Sequence, residues 1–248
     1  MSRFYLALSF SLVSVANIAS ATETFSIQLQ GTLPATAPAD AFILDLADTP
    51  KTTIANYQAQ GTKVICYFSA GSFEDWRADA GAFPKALIGK PLGEWPGEYW
   101  LDIRQIAPLI PIMERRMDMA LEKGCDGIDP DNMDLQTQDT GFAISGADQI
   151  TYARALAETA HRKGLRIGLK NDLEQVPELA PLFDYAVNES CMRYDECDVL
   201  TAFRDQGKPV YAIQYDDGPV PRCAGAAQFD FSFSYATRDL EVPTSPCP

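Results

Sequence analysis

A single histidine, His161, occurs in the 248 residues, and that scarcity removes whole classes of chemistry. A serine or cysteine nucleophile worked by a histidine base needs imidazole in the site. His161 instead falls beside Arg162 and Lys163 at the end of an expected helix, away from the strand ends that carry carboxylates. Zinc lacks ligands for the same reason, and the carboxylates that remain suit Ca²⁺ or Mg²⁺. No glycine-rich phosphate loop follows any strand, so neither a nucleotide nor another cofactor is expected. Beyond the N-terminus no apolar run approaches the roughly 20 residues of a membrane span. Short-period repeats, low-complexity tracts and heptads are also missing. Cations are scarce too: 20 Lys and Arg face 34 Asp and Glu, for a net charge of −14. Such a field repels nucleic acid and anionic lipid and attracts a cationic ligand.

The N-terminus carries what the rest lacks. Met1 to Arg3, an apolar run from Phe4 to Val15 and then Ala19 to Ala21 have the three parts of a secretory signal peptide. Cleavage after Ala21 would leave residues 22–248 as one exported domain, secreted or periplasmic, expected as a monomer. Six cysteines then permit disulfides. The short separations favour Cys191 with Cys197 and Cys223 with Cys247. Cys66 and Cys125 sit in apolar strand-like runs, as a third bridge or as buried thiols.

Short β-rich runs alternate with helical periodicity. Strands are expected at Phe42–Leu46, Lys63–Ser69, Glu98–Ile103, Cys125–Pro130, Leu165–Lys170, Tyr185–Asn188, Pro209–Tyr215 and Phe229–Tyr235. Helices fit at Lys51–Gln60, Ile106–Lys123, Ala147–Lys163, Leu173–Leu182 and Glu196–Gln206. Eight strands with helices between them predict an α/β fold, a TIM-like (β/α)8 barrel in a single domain. Gly124 and Gly164 stop two of the helices just before a strand, which places the polar far ends of those strands at the top of the barrel. A long Pro- and Gly-rich stretch after Gly71 holds Trp76, Trp95 and Trp100, either as sugar-stacking rings or as core plugs.

Asp126, Asp129, Asp131 and Asp134 crowd one such strand end, and Glu189 ends another. Like charges at a partly solvated strand end push one another's pKa values apart, which suits acid/base work at neutral pH. Two carboxylates on two strand ends suggest glycoside hydrolysis. The aspartate run lacks the Gly and Glu positions of an EF-hand loop and follows a strand, so no metal is assigned. Asp45 and Asp102, at strand ends, are candidates to meet a cationic ligand or to form structural ion pairs.

Several blocks together resemble glycoside hydrolase family 114, the endo-α-1,4-polygalactosaminidases. They are Ser26–Gly31, Ile43–Asp45, Lys63–Gly71, Trp95–Glu98, Trp100–Arg104, Asp126–Asn132, Lys170–Asn171, Asn188–Cys191 and Pro209–Tyr211. The resemblance implies a barrel that cleaves α-1,4-linked galactosamine polymers internally, with Asp131 and Glu189 as the catalytic pair in a retaining mechanism. The position before the proline, commonly Glu in the family, is Asp129 here and stays a rival to Asp131. Such a polymer is cationic, in keeping with the acidic chain. Asp45, Tyr67, Asp102, Asp129, Asn132, Lys170, Asn188 and Tyr215 are the expected substrate-binding residues. A silent carbohydrate-binding barrel has no need of paired carboxylates, and a metal-dependent deacetylase usually needs imidazole ligands. A hydrolase of another amino-sugar polysaccharide would use the same machinery.

Overall fold

In chain order the strands are β1 (Phe25–Gln28), β2 (Ala41–Asp45), β3 (Lys63–Ser69), β4 (Ser72–Glu74), β5 (Ile88–Pro91), β6 (Glu98–Leu101), β7 (Gly127–Asp131), β8 (Arg166–Lys170), β9 (Tyr185–Glu189), β10 (Val210–Tyr215), β11 (Ser232–Ala236) and β12 (Ser245–Pro246). This computed structural model describes residues 23–93, 95–216, 223 and 226–247. The expected signal peptide, residues 1–21, lies outside them.

Eight strands pair side by side in parallel, in the order β1-β2-β3-β7-β8-β9-β10-β11. The C-terminal segment spans the remaining seam. β12 runs antiparallel to β11, while the Leu29 N–H donates to Leu240 O and the Thr244 N–H to Ile27 O. The Cys223–Cys247 bridge ties that segment down, Cys191 pairs with Cys197, and Cys66 with Cys125 makes the third bridge, from β3 to the residues ahead of β7. The result is a TIM-like α/β barrel in one domain.

One expected barrel strand belongs elsewhere. Glu98–Leu101 pairs antiparallel with β4 and β5 in a separate three-stranded sheet, and the eighth barrel strand is β1. β1 eluded the pattern because no helix follows it and its outward residues are polar. Ser26 bonds Thr244 O at 2.9 Å and the Gln28 amide bonds Glu241 O at 2.9 Å, so this face packs on the C-terminal segment instead of an apolar helix.

The helices that cover the other strands carry legible ends. α1 (Lys51–Gln58) is short; α2 (Ile106–Lys123) stops at Gly124 with φ 87°, and α3 (Gly146–Arg162) starts from a capping box between Ser145 and Asp148. α3 buries Tyr152, Ala153, Leu156 and Ala160 against the sheet. Each large apolar side chain so buried is worth about 1.5–3 kcal/mol. The expected helix at 173–182 breaks into short turns, since Pro177 and Pro181 interrupt the backbone donors. The one expected at 196–206 is likewise a 3₁₀ turn followed by Thr201–Arg204. Among the described residues no helix is long and apolar enough to cross a membrane.

Inside the barrel, Phe25, Ile27, Ile43, Ile65, Tyr185, Val187, Tyr211 and Ile213 fill the lower layers. Tyr185 needs space from two neighbouring strands. A Cβ at Gly168 would stand 2.4 Å from its ring, and one at Gly127 would stand 2.7 Å from its hydroxyl. Gly168→Ala should therefore destabilise the fold by about 1–3 kcal/mol, read as a lower urea midpoint. Gly81→Ala, where a Cβ meets nothing within 4 Å, should change it by less than about 0.5 kcal/mol.

Candidate active site

Three adjacent strands end alike. Each of β7, β8 and β9 closes on an ionisable residue followed at once by a left-handed one: Asp131 then Asn132 (φ 60°), Lys170 then Asn171 (51°), Glu189 then Ser190 (67°). Asparagine tolerates this conformation because its short amide bonds locally. The last inward-facing side chains of the three strands meet at the top of the barrel.

Lys170 joins them. Its Nζ lies 2.8 Å from Asp131 Oδ1 and 3.6 Å from Glu189 Oε2, so those two oxygens are no farther apart than the sum of these distances. Tyr67 donates to Asp131 Oδ2 at 2.8 Å, and Tyr215 donates to Glu189 Oε1. Asn171 donates to Glu189 Oε2 at 3.1 Å and accepts the Glu189 N–H at 2.9 Å. Both carboxylates are therefore oriented on both oxygens.

Burial disfavours the charge on Asp131, yet the Lys170 cation and its hydrogen bond, with help from the Asn132 N–H and Tyr67, hold its carboxyl below the usual value. Burial likewise opposes the Lys170 charge, but Asp131, Glu189 and Asp129 raise its pKa well above the ordinary lysine value. Asp129 sits one layer down, fully buried, with neither oxygen hydrogen-bonded among the described residues. Burial pushes it up to about 7, opposed by Lys170 and reinforced by Asp131 and Glu189. From the side sheet, Glu98 accepts from Ser72 and from Asn132 Nδ2 at 3.2 Å. Burial carries Glu98 to about 7 against the Ser72 hydrogen bond, with Glu74 and Asp131 adding to the rise.

Glu189 opens on a cleft of about 520 Å³ whose lining includes Asp134, Asp172, Glu174, Glu196, Tyr194 and Arg238. An ionised carboxylate facing a second, hydrogen-bonded carboxyl across an acidic cleft can attack one carbon of a glycosidic bond while a proton reaches the leaving oxygen. The sequence matches the model of glycoside-hydrolase family GH114 over residues 10–245.

The chain belongs to glycoside hydrolase family 114.

It is thus a glycoside hydrolase. Among solved structures, Ega3 of Aspergillus fumigatus, crystallised in complex with galactosamine, is 38% identical, with 91% of this chain and 95% of that one covered and a TM-score of 0.84. The glycoside hydrolase domain of PelA from Pseudomonas aeruginosa shares the fold at 19% identity, covering 88% of this chain and 96% of that one, with a TM-score of 0.69. No curated protein sequence gives a significant match.

In this family 114 chain Asp131, Glu189, Tyr67, Lys170 and Tyr215 form one contact network. Asn132 lies at its edge, turned toward Ser69 and Glu98. The Asn188 side chain instead secures the turn after β9, accepting the Cys191 N–H at 3.0 Å. Asp45 is buried in an ion pair with Arg77 at 2.7 Å, and Asp102 is paired with Arg104 at 2.6 Å. Trp100 is in the core, while Trp76 and Trp95 are about half exposed. Asn171, Asp134 and Asp172 were absent from the expected set. Their signal was present, since Lys170-Asn171-Asp172 repeats the charged strand end plus asparagine seen at Asp131-Asn132.

The raised carboxyls set a pH dependence. Folded Asp129 and Glu98 release their protons near 7, where the unfolded chain releases them near 4. Between those limits the native state holds more protons, so stability is full below about pH 4 for these groups and lost as pH rises through about 7. The melting temperature should be lower at about pH 8.5 than at about pH 5, and Asp129→Asn should narrow the gap.

Proposed function

We propose that this protein is an exported, endo-acting hydrolase of α-1,4-linked galactosamine polymers, with Asp131 as nucleophile and Glu189 as general acid/base. The observation that carries the reading is Lys170 set between the two carboxylates, which keeps Asp131 ionised and brings the pair close together. In the first step Asp131 attacks the anomeric carbon while protonated Glu189 gives its proton to the glycosidic oxygen, and the carbon–oxygen bond breaks. Glu189, now a carboxylate, then takes a proton from water as that water displaces Asp131. Two inversions return the original configuration. Tyr215 and Asn171 keep the Glu189 carboxyl aimed at the leaving oxygen, and Tyr67 does the same for Asp131.

The substrate class follows from charge. Asp134, Asp172, Glu174, Glu189 and Glu196 line the cleft against the single cation Arg238 among its described lining residues, a net acidic wall that favours a sugar bearing ammonium groups. Ega3, which resembles this chain along most of its length, was crystallised with galactosamine. The leader-like first 21 residues and three disulfides support export to an oxidising compartment.

Incubation with de-N-acetylated galactosamine polymer should yield short oligomers by mass spectrometry, with the first-formed products in the α configuration by NMR. Products of β configuration would mean an inverting enzyme. Asp131→Asn and Glu189→Gln should each cut kcat by about 10²–10⁴-fold with the native far-ultraviolet circular dichroism kept. Asp129→Asn should cost less, because its carboxyl is sealed below the cleft.

A further inference from the structure

The loop after β9 carries an aromatic ring that the proposed mechanism does not use. Among the exposed large hydrophobic side chains of the described residues, Tyr194 is the one that lines the cleft beside Glu189, with 59% of its surface open to solvent. Tyr57, Tyr152, Tyr185 and Tyr211, by contrast, are fully buried. A lone exposed ring signifies nothing by itself. What sets Tyr194 apart is where it stands and how firmly it is held.

Glu189 is followed by Ser190 at φ 67°, and Cys191–Tyr194 then makes one helical turn. In it the Ser190 carbonyl accepts the N–H groups of Arg193 at 2.9 Å and Tyr194 at 3.3 Å. Asp195, at φ 57°, turns the chain back, the Glu196 N–H returns to the Cys191 carbonyl at 3.0 Å, and the Cys191–Cys197 disulfide closes the loop. At its root the Cys191 N–H donates to Asn188 Oδ1 at 3.0 Å. The Arg193 guanidinium stands 5.6 Å from the centre of the Tyr194 ring, an attraction that favours one ring orientation. A ring mounted on so closed a loop loses little freedom when a ligand covers it.

We propose that the Tyr194 ring is the stacking platform for a galactosamine unit in the leaving portion of the polymer, a subsite that sets the preferred chain length and where the cut falls. This deepens the function proposed above and rests on it. A galacto-configured ring carries its 4-oxygen axially, so C3–H, C4–H and C5–H turn toward the opposite side and form an apolar patch that fits an aromatic face. The side of the bond follows from the loop. Tyr194 shares the cleft and the strand end of Glu189, whereas Asp131 is held from the other direction, by Tyr67 of β3 and by Asn132, which turns toward the side sheet. The sugar that meets Tyr194 is therefore on the Glu189 side, in the portion released once Glu189 protonates the glycosidic oxygen. Stacking uses carbon-bound hydrogens and leaves the 2-amino group to the rest of the cleft.

The test compares two probes on the mature protein: the α-1,4-galactosamine polymer, and the nitrophenyl glycoside of an α-1,4-galactosamine tetramer. Release of nitrophenol reads cleavage with no sugar in the leaving portion. Tyr194→Ala should lower the ratio of kcat/KM for polymer to kcat/KM for nitrophenol release by about three- to tenfold, mostly through KM for the polymer, and shift the lengths of the first products. Tyr194→Phe, which keeps the ring and drops the hydroxyl, should restore both the ratio and the product lengths. If Tyr194→Ala leaves the ratio and the lengths as they were, if it slows both probes equally, or if Tyr194→Phe fails as Tyr194→Ala does, the stacking assignment is wrong while the proposed function stands. If the wild-type protein cleaves neither probe, the substrate class and the subsite fall together.

Discussion

The Lys170 ammonium, buried between Asp131 and Glu189, is the interaction on which the site depends. Two carboxylates brought close in a low-dielectric pocket would otherwise repel, and one would take up a proton. A buried cation between them reverses that for Asp131, and the cation is itself retained only because the surrounding carboxylates offset the cost of its burial. Neither partner would be stable in its charged form alone. Removal of Lys170 or Asp131 therefore changes the protonation of the other, which makes the two one unit rather than separate contributions.

That unit has to be delivered by rigid elements, and the barrel does so by ending β7, β8 and β9 at a common level with left-handed residues. The hydrogen-bond ladder stops there, and the last side chain of each strand is left facing its neighbours. Below, the polar layer gives way to Tyr185 and Tyr211, which fill the barrel and seal it. Asp129 is caught between these regimes: deep enough to lose all solvent, yet close enough to the catalytic charges to feel them. It holds its proton to about neutrality for both reasons, and it supplies no group to the cleft surface.

The sheet on the side, β4 to β6, shows how a local pattern misleads. Glu98 to Leu101 alternates like a barrel strand and lies at a plausible interval, but its partners are antiparallel. What it contributes is Glu98, whose carboxyl takes the Asn132 amide and braces the residue after Asp131. β1 was concealed for the opposite reason. Ser26, the Ile27 N–H and the Gln28 amide nitrogen bond groups more than two hundred positions away, at Thr244 and Glu241, and no local window contains those partners.

The sequence by itself determined the barrel rhythm, the ends of α2 and α3, two of the disulfides and the crowding of carboxylates at two strand ends, because each is written in neighbours a few residues apart: caps, glycine stops, alternation, and charge beside an apolar run. Only the tertiary structure decided which strand closes the barrel, that Cys66 meets Cys125, that Asp45 and Asp102 spend their charge on Arg77 and Arg104, and that Lys170 stands between Asp131 and Glu189. Those facts are distances between residues far apart in the chain. Ionisation, partner choice and access to the cleft all depend on such distances, and a linear pattern carries no record of them.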